Sequence, residues 1–73
     1  MAGSAKSEDI IRAAQARAGY YRQTERMCNA IRIEPRTFSN RLKNSGSINL
    51  SELRRMDIVL HFTDEELIQI IRG

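Results

Sequence analysis

Cysteine, histidine and proline each occur once in this 73-residue chain. A single cysteine excludes an internal disulfide, and without a cysteine–histidine cluster no zinc site can organise the fold. No apolar run approaches the length of a membrane span or a secretory h-region, which predicts a soluble, cytoplasmic protein with no membrane partner. No stretch alternates apolar and polar residues as a strand would. At this length the chain makes one domain at most, near the lower limit for a core that holds without staples, with or without a second subunit. With 41% apolar and 29% charged residues it is globular rather than disordered.

The parts for catalysis are equally scarce. His61 falls at the C-terminal end of an expected helix, where the dipole favours a cation, and no serine or cysteine has it as an evident partner base. Cys28 lies on the inner side of another helix, as a small hydrophobe. Glu65 and Glu66 sit at a helix start, where acids complement the dipole. No enzyme, metal site, cofactor or small-molecule substrate is expected.

Acids are missing from one particular region. Residues 11–55 hold ten cations against three acids, Glu25, Glu34 and Glu52, whereas the two ends hold two cations against six acids. Ten of the twelve cations are arginine, whose planar fork suits phosphates and guanine edges. A basic middle between acidic ends fits one surface made for a polyanion; it also fits a solvated surface laced with salt bridges.

What is present is helical spacing throughout. The first of five short helices is expected from an N-cap at Ser7 to about Ala18, after a flexible leader over residues 1–6. It turns Ile10, Ile11, Ala14 and Ala18 inward, and Gly19 follows as a residue able to take positive φ. The second covers about 24–31 with Thr24 as N-cap, burying Met27, Ile31 and either Ala30 or Cys28. The third covers about 35–44, with Pro35 at the first helical position, Glu34 as cap, and Ile33 packed against Phe38 as a hydrophobic staple. "NLSE" (49–52) and "TDEE" (63–66) are capping boxes, stapled by Ile48 with Leu53 and Phe62 with Leu67. They open a fourth helix over 50–60, burying Leu53, Leu60 and either Met56 or Val59, and a fifth over 64–71. Short connections make this a compact α-helical bundle.

The third helix carries the densest chemistry. At about 100° per residue, Phe38 and Leu42 define one buried side. Arg36, Asn40, Lys43 and Asn44 lie opposite, flanked by Thr37 and Ser39, with Arg41 at the boundary. Arginine forks onto guanine, asparagine onto adenine, and threonine offers a methyl and a hydroxyl. Arg36 and Asn40 stand one turn apart, within reach of adjacent base pairs. A merely solvated face usually mixes in acids, and from Pro35 to Gly46 there are none.

"TERMCNAIRIEPRTFSNRLKN" resembles the helix-turn-helix of phage repressors and Cro proteins, the lambda-repressor-like family. Met27, Ile31, Ile33, Phe38 and Leu42 match its apolar positions. "INLSELRRMDIVLHFTDEELIQII" is similar to its fourth and fifth helices, and the resemblance spans residues from about 8 to 71. It implies an all-α, five-helix lambda-repressor-like domain that binds a double-stranded DNA operator as a phage or prophage transcriptional regulator. By position, Arg36, Thr37 and Asn40 would contact bases. Arg17, Thr24, Ser39, Arg41, Lys43 and Asn44 would touch or flank the DNA backbone, as would Gln23, one residue before the family's phosphate-touching position. The chain departs from the family at Arg32, where the turn usually carries glycine, and in ending the third helix with "LKNSG".

Such domains usually act as homodimers on two half-sites. Ile68, Ile70 and Ile71 give the last helix more apolar residues than one face needs. They fit either a dimer contact or simple closure of the core. From a different class of function, the same fold also fits an adaptor or antirepressor-like module that offers its basic face to an acidic protein without reading bases.

Overall fold

The computed structural model describes residues 3–72, and Met1, Ala2 and Gly73 lie outside them. Five α-helices follow one another: α1 (Gly3–Arg17), α2 (Thr24–Ile31), α3 (Pro35–Lys43), α4 (Leu50–Leu60) and α5 (Asp64–Arg72). One turn of 3-10 helix, Ser45–Ser47, links α3 to α4. The described residues contain no strand, as the spacing predicts.

Two starts follow directly from local sequence. At α4 the Glu52 amide donates to Asn49 Oδ1 (2.8 Å) and the Asn49 amide to Glu52 Oε1 (3.1 Å). At α5 the Glu66 amide donates to Thr63 Oγ1 (3.1 Å) and the Thr63 amide to Glu66 Oε1 (2.8 Å). Each box satisfies two amides that the helix itself cannot pair. α3 begins at Pro35 behind an extended Glu34, and the staple residues Ile33 and Phe38 are both buried.

Two starts differ from expectation. α1 begins at Gly3, four residues before the cap expected at Ser7, so the helix runs through residues 3–6 of the expected leader. No proline interrupts this stretch, and Ser7 is fully buried within the helix instead of capping it. Its Oγ has no hydrogen-bond partner among the described residues. At α2 the cap position is Gln23, whose side chain makes no capping bond. Thr24 is the first helical residue, and its Oγ1 instead accepts from Gln15 Nε2 at 3.1 Å.

α1 packs against α3 and α5, and α2 against α4. The shared core comprises Ile11, Ala14, Met27, Cys28, Ile31, Ile33, Phe38, Leu42, Leu53, Met56, Leu60, Phe62 and Ile70. Between the open alternatives, α2 buries Cys28 and exposes Ala30, while α4 buries Met56 and leaves Val59 half-buried. Burial pushes the Cys28 thiol pKa up, with a smaller push from the Glu25 carboxylate.

Three connections turn on residues in the left-handed region that are not glycine: Arg22 (φ 59°), Arg32 (φ 60°) and His61 (φ 54°). Gly19 takes positive φ (93°) after α1, as its place in the sequence predicts. No helix of the described residues is long and apolar enough to cross a membrane.

Candidate functional site

Phe38 and Leu42, each 1% exposed, fix α3 against the core. Those two anchors determine what the remaining side chains of α3 can face. Arg36, Asn40, Lys43 and Asn44 are exposed, and Thr37 and Ser39 are half-buried beside them. Among the described residues, the side chains of Arg36, Thr37, Ser39, Asn40 and Lys43 enter no hydrogen bond or ion pair with the rest of the protein. The helix ends at Lys43. Asn44 leaves helical geometry (φ −135°, ψ 79°), and its carbonyl accepts the Ser47 hydroxyl at 2.6 Å. A rigid, basic, acid-free surface one helix long is therefore presented to solvent.

Several residues expected beside this surface have other partners. Arg41 turns inward: its Nε donates to Glu52 Oε1 at 3.0 Å, tying α3 to α4. This bond, aided by the capping amide of Asn49, holds the Glu52 carboxyl below its ordinary pKa against the opposing effect of burial. Arg17 donates to both oxygens of Glu66, at 2.9 and 3.0 Å, and to the His61 carbonyl at 3.0 Å. It thus joins the end of α1 to the start of α5 rather than standing free for a phosphate. The Arg17 bond is the main cause that lowers the Glu66 pKa, and Glu66 in turn raises that of Arg17. At the start of α2, Gln23 is exposed and accepts from Arg26 Nη1 at 3.1 Å, while Thr24 is half-buried against Gln15.

The three isoleucines of α5 separate. Ile70 is buried in the core together with Leu53, and only its edge reaches the surface, in the groove that Ile71 also borders. Ile68 and Ile71 are 51% and 69% exposed. Ile71 borders a groove of about 290 Å³ with Ile48, Leu50 and Leu53.

Sequence spacing does not reveal two further arginine positions. Arg55 donates through Nε to the Ile31 carbonyl at 3.0 Å and through Nη1 to Ser51 Oγ at 3.0 Å, pinning the end of α2 to α4. Arg22, next to the start of α2, sits over the exposed Tyr21 ring at 5.6 Å from its centroid. The first bond spans 24 residues and the second depends on a left-handed backbone that no local residue signals. The one histidine, His61, is exposed at the end of α4.

Comparison with protein-family models, curated proteins and solved structures finds no match to this chain.

Proposed function

We propose that the chain is a lambda-repressor-like helix-turn-helix domain that binds double-stranded DNA sequence-specifically and regulates transcription. In this assignment α2 and α3 form the motif and α3 enters the major groove. The observation that carries it is the outer face of α3, whose arginine, asparagine and lysine side chains are exposed, unpaired among the described residues and unaccompanied by any acid. Arg36 and Asn40 are the base readers, with Thr37 between them; Lys43 and Asn44 approach the backbone, and Ser39 flanks it. Arg22, outside the set expected from sequence, joins the backbone contacts in place of Arg17 and Arg41.

Binding selection from random duplexes, followed by titration of the selected site, tests this assignment. Arg36→Ala or Asn40→Ala should relax preference at one base pair and cost roughly 1–3 kcal/mol, whereas Lys43→Ala should weaken all duplexes alike. Affinity should fall steeply with salt, and each lost phosphate contact should lower the slope by about one. Failure to bind any duplex at low salt favours the adaptor function instead. No change on Arg36→Ala and Asn40→Ala removes α3 as the reading element.

A further inference from the structure

The outer face of α4 carries apolar surface that the core does not use. Leu53, Met56 and Leu60 are buried along the inner side of this helix, yet Ile58 is 72% exposed. At about 100° per residue, Ile58 points directly away from that buried stripe. It borders a shallow cavity of about 330 Å³ with Val59, Ala30, Arg32 and Arg55. No residue of α3 lines this cavity.

Two arginines, Arg32 and Arg55, line it. Arg32 is exposed, held in place by its left-handed backbone, and has no ion-pair partner among the described residues. Arg54, one turn before Ile58, is also exposed and unpaired among them. Arg55 is already oriented by its bonds to Ile31 and Ser51. The nearest acid on α4, Asp57, is half-buried and accepts the Phe62 amide at 3.2 Å. Glu34 lines an adjoining depression beside Pro35, which Arg32 also borders, and it forms no ion pair with Arg32 among the described residues.

We propose that this α2–α4 face docks an acidic protein segment, which lays one aliphatic side chain beside Ile58 and Val59 and sets carboxylates against Arg32 and Arg54. The guanidinium fork matches a carboxylate, and arginine is among the residue types enriched where binding energy concentrates. A phosphate backbone is the poorer occupant, because it would leave Ile58, Val59 and Ala30 facing ionic groups with no apolar surface to bury. The proposal uses none of the residues assigned above to DNA contact, although Ala30 and Arg32 belong to α2 and the turn that follows it.

Selection of random peptides of about twelve residues, displayed on phage and counter-selected on Ile58→Glu, tests it on the full chain. The expected peptides carry a leucine, isoleucine, valine or methionine flanked by two or more acids. Their synthetic versions should bind about tenfold or more weakly to Ile58→Glu and to Arg54→Glu, and equally well to Arg36→Ala. Both α4 positions are solvent-exposed, so the helical circular dichroism of these variants should match that of the parent; Arg32→Gly supplies a third variant that removes charge without backbone strain. Absence of enrichment, enrichment of neutral or basic peptides, or resonance shifts on α3 instead of at Ile58 would overturn the proposal. So would concentration-dependent self-association abolished by Ile58→Glu, which would make a second copy of the chain the occupant.

Discussion

Arg32 and Ser7 each hold a side chain in a position that does not suit it. Arg32 sits at φ 60°, ψ 41°, where a Cβ crowds the backbone at a cost of roughly 1 kcal/mol. Arg32→Gly removes that strain and returns part of the gain through the freer unfolded chain, so stability should rise by up to about 1 kcal/mol in chemical denaturation. Ser7 buries a hydroxyl with no partner among the described residues. Ser7→Ala should therefore stabilise the fold by about 1 kcal/mol, read as a higher midpoint of thermal unfolding; a lower midpoint would mean that the hydroxyl is paired. The sequence marks Arg32, because the turn of the family it resembles usually holds glycine there. It does not mark Arg22 or His61, whose left-handed backbones are set by where the next helix must begin. Nor does it mark Ser7, since a serine ahead of an apolar repeat has the same spacing whether it caps the helix or lies within it.

Among the elements, α4 and α5 begin where their capping boxes predict, because every atom involved lies within four residues. The outer face of α3 is legible for a similar reason, since Phe38 and Leu42 mark the buried side and all other positions follow. The roles of Arg17 and Arg41 are not legible, for Glu66 and Glu52 lie 49 and 11 residues away and only the packing brings them close. In α5, isoleucines at three of four successive positions hide which one the core takes, and Ile70 is distinguished only by its neighbours. The two inter-helix ion pairs have a pH consequence. Glu52 and Glu66 titrate below the ordinary glutamate value of 4.5 in the folded state. Their stabilisation is therefore fully present above that value and is lost as pH falls through the lower folded values. Equilibrium unfolding against pH should show a steep acid limb. Glu52→Gln keeps the amide cap but loses the charge-assisted bond to Arg41, so it should flatten that limb and cost about 1–2 kcal/mol at neutral pH.

For the whole molecule, the net charge of +3 understates the asymmetry of the surface. The ion pairs consume Arg12, Arg17 and Arg41, whereas Arg36 and Lys43 on α3 and Arg32 and Arg54 near α4 remain unpaired among the described residues. Two separate basic faces therefore remain, one polar and one with an aliphatic centre. The exposed Ile68 and Ile71 offer a third surface, and the proposed regulator would use it to pair two copies across a two-fold operator. Ile71→Asp should then weaken dimerisation and operator affinity together in sedimentation and titration, without lowering the melting midpoint of the monomer. Ile70→Asp should unfold the chain, because its side chain lies in the core. The Arg17 clamp holds Glu66 and the His61 carbonyl at once. It couples the local openings of the first and last helices, so amide protons in α5 should exchange with solvent on the schedule of α1 while the clamp holds. High salt, by screening the pair, should let α5 fray on its own.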